Sequence, residues 1–328
     1  MTNIPPSVPL PEWAPHAAMW IGFPSHVALW EDDLAPAQAE VAAFAAAIHA
    51  DGMGEAIWLV AADAAAAVEA RRLAPFATVI VEPFGDIWLR DTGPIIIGSG
   101  ADRRAQGFGF NGWGDKYDLP GDDSIGERLA AAAGLPYAKA DWILEGGAID
   151  GDGSGTFLTT EQCLLNPNRN PGFGRYEVEQ RLANDLGATK VVWLGDGLEN
   201  DHTDGHVDNI ARFVSPGRVA IPEAVEDDPN APAYADAAEI LLDADLEVVA
   251  IPSPGLVERD GEMVPASYMN FTIGNVTVVV PQYGAPNDAT AVEALQDIFP
   301  DRQVIGLRAD HLLTGGGSFH CISQHVPE

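Results

Sequence analysis

The chain has 328 residues, 47% apolar and 20% charged, a globular composition that admits one large domain or two ordinary ones. Its 17 Lys and Arg stand against 49 Asp and Glu, a formal net charge of −32. Such a charge repels polyphosphate and anionic lipid, excluding a nucleic-acid or membrane-surface partner, and is compatible with a cationic small substrate; its simpler reading is solubility or adaptation to salt.

In chain order, Met1–Pro15 has neither a basic region nor an apolar stretch of the secretory type, and no later run is apolar enough to cross a bilayer. The two cysteines, Cys163 and Cys321, are too few for a disulfide framework and fit a reducing compartment, so a cytoplasmic protein is expected. The Ala-rich stretch Leu34–Asp51 predicts a helix stopped by Gly52, and Asp63–Leu73 one ended by Pro75. Ser124–Ala133 and Tyr176–Leu186 stop at Gly134 and Gly187. Pro232–Ala244 and Asp288–Ile298 complete the helices, the last capped by Asn287 or Asp288. Strands are predicted at Ile57–Ala61, Val79–Val81, Trp142–Leu144, Thr156–Thr159, Val191–Leu194, Val219–Ile221, Glu247–Ile251, Thr277–Val280 and Val304–Leu307. Asp227–Pro232 is the best domain boundary but reads as a surface loop, because strand–helix alternation resumes at once.

From the third helix on, helix centres recur roughly every 55 residues, as a repeated supersecondary unit would give. The class is α/β with internal repetition. No Gly-rich phosphate loop follows a first strand, and many strands are too short and polar for a buried parallel sheet. A radial, repeated arrangement fits better than a doubly wound sheet.

Four segments concentrate chemistry. Asp86–Pro94 packs Asp86, Trp88, Arg90 and Asp91 beside a Gly-Pro turn. If Asp86–Arg90 is extended, Asp86, Trp88 and Arg90 share a face and Asp91 projects from the strand end. Asp86 and Arg90 read more simply as an ion pair pinning the turn. Ile143–Gly147 sets Glu145 after an apolar strand and before two glycines that admit close backbone approach. In Glu199–Asn209, Asp204, His206 and Asp208 would share one face of an extended segment, joined by His202 if the strand starts early. Such a face could chelate a divalent ion, or its carboxylates could bind a cation while a His moves protons. Gly315–Gln324 leads a glycine run into Cys321. A catalytic thiolate needs a nearby cation or dipole, and His206 is the candidate, since His320 points to the other face of a strand. Cys163 reads as a buried, inert thiol.

Taken together, Glu12–His16, Asp86–Pro94, Phe110–Trp113, Ile143–Gly147, Thr159–Asn170, Gly205–Asn209, Val280–Tyr283 and Gly315–Gln324 resemble, in order and almost end to end, the Porphyromonas-type peptidylarginine deiminase family and its agmatine deiminases. The resemblance implies a pentein α/β-propeller, five ββαβ modules around a pseudo-fivefold axis, with residues 1–328 forming a single catalytic domain. It implies a guanidine deiminase that converts agmatine and water to N-carbamoylputrescine and ammonia. Cys321 would be the nucleophile and His206 the general acid/base. Asp91 and Asp208 would clamp the guanidinium, and Glu145 would orient the His. Trp88 and Trp113 would wall the pocket, with His202 and Asp204 near the substrate's distal end. No metal or organic cofactor is implied, and a homo-oligomer stays open. Two positions depart from the family: His202 stands where many relatives carry an acid, and Ser318-Phe319 where they often read Asn-Ile. Peptidyl arginine or another guanidine is the alternative substrate, and a metal-dependent hydrolase built on Asp204–Asp208 the alternative chemistry. A peptide would need a cationic anchor, and the chain has only three lysines, Lys116, Lys139 and Lys190.

Overall fold

The computed structural model describes residues 8–259 and 261–328; residues 1–7, part of the N-terminal stretch read above for a leader, lie outside the described residues. Five sheets of three or four strands repeat one pattern, accompanied by a small hairpin, Glu258–Arg259 with Glu262–Met263. In each, an antiparallel pair is extended by a parallel strand, and a helix makes the parallel crossover, as parallel neighbours require. Ile95–Ile97, Arg104–Gly109 and Tyr137–Ile143 form one sheet, crossed by helix Ile125–Ala132. Asp150–Gly151, Thr156–Thr160 and Lys190–Leu194 form the next, with helix Arg175–Leu186. Arg212–Ser215, Arg218–Glu223 and Glu247–Pro252 follow with helix Ala231–Asp243, then Thr272–Ile273, Thr277–Gln282 and Gln303–Arg308 with helix Asp288–Ile298.

The remaining sheet joins distant parts of the chain. Ser323–Pro327 runs antiparallel to His16–Phe23, which is parallel to Ala56–Ala61 across helix Leu34–His49; Thr78–Val81 adds a further parallel strand after helix Ala64–Leu73. The inner strands are buried on both faces, as at Val278–Val280, because helices cover one side and neighbouring sheets the other. The predicted helices and strands all occur, with ends moved by a few residues. The largest helix stops at His49, sooner than the composition suggests. Ala50, Asp51 and Gly52 all take positive φ, and Gly54 then passes so close to the Ile48 carbonyl that a Cβ would lie 2.0 Å from its oxygen.

Two expected extended segments are not strands. Trp88 ends a bend and Leu89–Thr92 is a single helical turn; Val207–Asn209 is a 3-10 turn preceded by Asp204 at φ 62°. Asp86 and Arg90 are not paired either. Asp86 accepts from the indoles of Trp30 and Trp88, whereas Arg90 turns to Gln324, His320 and Glu12. No helix of the described residues is long and apolar enough to cross a membrane.

Candidate active site

The site is assembled from connections between strands, each delivering one or two side chains. Cys321 sits where a glycine-rich turn enters strand Ser323–Pro327. Its carbonyl accepts from Arg90 N at 3.0 Å and its amide donates to Asn270 Oδ1 at 3.2 Å, so the backbone on both sides is fixed. Asn270 Nδ2 lies 3.0 Å from Sγ and the thiol 3.8 Å from Asp208 Oδ2. Gly317 is required here, because a Cβ would stand 2.6 Å from the Trp88 ring and 3.2 Å from Sγ. Burial, then the charges of Asp208 and Asp91, push the Cys321 thiol well above its ordinary range.

Asp91 comes from the helical turn Leu89–Thr92. It accepts from Trp113 Nε1 at 2.9 Å and Gly147 N at 2.9 Å, with His206 Nδ1 at 3.7 Å from Oδ1. Burial raises its carboxyl; His206 opposes that, while Asp208 and Glu145 add to it. Asp208 is fully buried, with Oδ2 2.7 Å from His320 Nδ1 and Oδ1 without a partner. Burial would raise it too, but the bond and charge of His320, with His206 and Arg212 behind, hold it below the usual range. His206 lies between the carboxylates, and neither ring nitrogen has a hydrogen-bond partner. Burial disfavours its imidazolium, yet Asp91, Cys163 and Glu145 outweigh that and hold it well above its ordinary range. Glu145 is fully buried, its Oε1 bonded by Arg169 Nε at 2.6 Å and its Oε2 free.

Above these groups opens a cavity of about 350 Å³. Cys321 and Asp91 reach it at the bottom; Trp30, Trp88, Trp113 and Tyr117 wall it; Glu31, Asp32, Asp33 and Asp86 make one side acidic. Its described lining contains no Lys or Arg. Burial lifts the Asp86 carboxyl to about 6. His202 is exposed at the rim, its Nδ1 2.8 Å from the Tyr117 hydroxyl.

The structure thus brings together Cys321, His206, Asp91, Asp208 and Glu145, and sets Trp88, Trp113 and His202 on the cavity. It does not bring Asp204 there. That carboxylate binds Lys116 Nζ at 2.6 Å, Asn168 Nδ2 at 2.9 Å and Arg169, bracing the loop beneath the rim. Phe319 is fully buried and stacks on Phe44 at 4.8 Å, and neither it nor Ser318 reaches the cavity. Of the two departures from the family, only His202 can therefore meet a ligand directly. Asn270, Arg169 and Trp30 contribute to the site without having been singled out. Arg169 lies within the Thr159–Asn170 motif and was there to be found; Asn270, in an otherwise apolar stretch, carried no signal. Cys163 is fully buried under His206, its thiol raised by burial. Among the described residues, Glu145, Cys163 and His206 are the set whose donor atoms, within 4.8 Å of one another, could approach a metal ion, although Arg169 already occupies one Glu145 oxygen.

The family model described as Porphyromonas-type peptidyl-arginine deiminase matches residues 9–327. The agmatine deiminase of Enterococcus faecalis superposes with a TM-score of 0.93 at 32% identity, covering 100% of this chain and 99% of that one. The agmatine deiminase of C. jejuni with substrate bound gives 0.91 at 26%, covering 98% and 96%. The DDAH of Pseudomonas aeruginosa, at 15% identity and a TM-score of 0.54 over 95% of this chain and 99% of that one, bears on the fold alone.

Proposed function

Because the chain belongs to the Porphyromonas-type peptidyl-arginine deiminase family, we propose that it is a guanidine deiminase, converting agmatine and water to N-carbamoylputrescine and ammonia at Cys321. One observation carries this reading: a thiol and a carboxylate, Cys321 and Asp91, at the floor of an acidic, aromatic cavity, with a second carboxylate, Asp208, and the imidazole of His206 buried against them. A guanidinium is a planar cation rich in N–H donors, and two fixed carboxylates can grip it with its carbon over a nucleophile. Asp91 and Asp208 do this. Their field also keeps Cys321 protonated while the site is empty, so the arriving cation cancels the charge that opposed the thiolate, and the thiol proton leaves to solvent.

The thiolate attacks the guanidinium carbon and forms a C–S bond. His206, held as imidazolium, gives its proton to the departing nitrogen, the C–N bond breaks and ammonia leaves a cationic amidino-thioether. The now neutral His206 takes a proton from water as its oxygen bonds to carbon. The C–S bond breaks, the thiolate returns, the hydroxyl proton of the collapsing adduct passes to solvent and a neutral urea-type product is released. Every step uses groups of the chain itself. Glu145 and the Cys163 region support the ring of His206 from below.

The cavity lining favours agmatine over arginine. A carboxylate on the substrate would meet Glu31, Asp32 and Asp86 and no described cation, whereas a terminal ammonium would be attracted. Those acids line the same cavity as His202 and supply the attraction an acid at position 202 would have given. The five repeated units we read as blades of one catalytic domain set about a pseudo-fivefold axis, a reading supported by their common strand order. Two free thiols suit a cytoplasmic protein. Ammonia release from agmatine, arginine, peptidyl arginine and simple guanidines is the test. Agmatine should be turned over fastest; a faster reaction with another guanidine keeps the chemistry and replaces the substrate.

A further inference from the structure

His320 precedes the nucleophile but points away from the cavity, into a chain of buried charges. Its Nδ1 lies 2.7 Å from Asp208 Oδ2 and its Nε2 2.9 Å from Glu12 Oε2. Carboxylates accept, so a ring bonded to one on each side donates from both nitrogens and carries a positive charge. Glu12 is itself held by Arg212 Nη2 at 2.6 Å and by the Ile273 amide at 2.7 Å, and it lies 3.8 Å from Arg90 Nη2. Arg212 also binds Asp150, Nε to Oδ2 at 2.6 Å. The cations His320, Arg90 and Arg212 thus balance the anions Glu12, Asp150 and Asp208 in a fully or nearly fully buried network. Burial is outweighed at Glu12 by Arg212 and His320, and its carboxyl is held well below the usual range.

The arrangement separates the two oxygens of Asp208. Oδ2 is taken by His320, while Oδ1 is buried and unpartnered. Asp91 is held differently, by two neutral N–H donors, with only His206 near it as a cation. The other charged or titratable groups facing Asp208 are Asp91, His206, Arg90, Arg212 and Cys321; those facing His320, besides its two carboxylates, are Arg90 and His325.

We infer that His320, fixed from behind by Glu12, is a positioning residue for the substrate clamp: its imidazolium keeps Asp208 an anion and holds that carboxylate beside Cys321, where the guanidinium would bind. This rests on the reading of Asp208 as half of that clamp. Were His320 neutral, Asp208 would lose its nearest counter-charge, and its proton would be held more tightly on acidification.

The experiment compares the parent chain with His320→Asn and Glu12→Gln, using agmatine. Asn keeps a donor near Asp208 but removes the charge. In His320→Asn, KM should rise by about tenfold or more with a smaller change in kcat, because the clamp acts on bound substrate and transition state alike. The acid limb of kcat/KM should move to higher pH. Glu12→Gln should shift both quantities in the same direction by less, and it decides the matter if His320→Asn does not fold by near-UV circular dichroism. Nitrogen NMR of the parent protein, labelled at histidine, supplies a readout free of substitution: the His320 ring, with a carboxylate on each side, should carry protons on both nitrogens. A folded variant with the parent's KM and acid limb, even with a lower melting temperature, overturns the inference, as does a His320 ring that carries a proton on one nitrogen only. If the parent releases no ammonia from any guanidine, it is the clamp reading that fails.

Discussion

Two carboxylates within reach of one thiol make Cys321 a poor nucleophile until a cation arrives, and each group reports on that arrangement separately. Asp91→Asn and Asp208→Asn keep the shape and drop the charge. Each should lose about 3–5 kcal/mol of transition-state stabilisation, the scale of breaking a buried charge pair, read as kcat/KM for agmatine. Near-parent kinetics would remove that residue from the clamp. The two thiols should behave oppositely. A guanidine-like electrophile should modify Cys321, which reaches the cavity, and spare Cys163, which is fully buried; mass spectrometry after proteolysis reads the site. A neutral alkylating agent should react with Cys321 slowly at neutral pH and faster as pH rises through its elevated range, since only the thiolate attacks. At this scale much of the site was legible, because Cys, His and paired acids beside glycines are seldom placed so without a task. Asn270 was not, since an amide bonded to a thiol is uncharged and common in sequence. Nor was the destiny of Asp204, whose partners Lys116 and Arg169 lie far from it in the chain.

Elements were easier to foresee than the turns between them. Helices announced themselves by Ala-rich runs with glycine stops, and inner strands by β-branched runs. The outer strands of the sheets did not, because Asp150–Gly151 and Thr272–Ile273 are too short to show a period. His16–Phe23 escaped notice because a strand buried on both faces has no alternation. The larger error was to read reactive segments as strands. A strand spaces alternate side chains widely along a line, whereas the turns at Leu89–Thr92 and Val207–Asn209 let Asp91, His206 and Asp208 converge from separate loops. Gly147 pays for that convergence. A Cβ there would stand 2.6 Å from His206 Nδ1, 2.9 Å from Asp91 Oδ1 and 3.1 Å from Asp208 Oδ2. Gly147→Ala should therefore remove most of the ammonia release while leaving the circular dichroism spectrum near that of the parent. Retained activity would mean that the three groups need not be so close.

The whole molecule carries its charge of −32 with an acidic wall at the cavity mouth. If that field recruits a dication, kcat/KM for agmatine should fall as salt rises, while a singly charged alkylguanidine should lose less, because screening acts on each charge. Equal salt slopes for the two would leave solubility as the use of the charge. The pairing of Ser323–Pro327 with His16–Phe23 has a different consequence. Ala18 faces Val326, so the strand that follows the nucleophile takes its place only after the chain has closed its longest loop. Contacts so far apart in sequence form late and slowly. The thiol is thus aligned with its carboxylates by one of the last events of folding, and helix content should return before catalysis does. In refolding from denaturant, far-UV ellipticity should recover ahead of ammonia release, and the enzyme should gain activity only with its slowest kinetic phase.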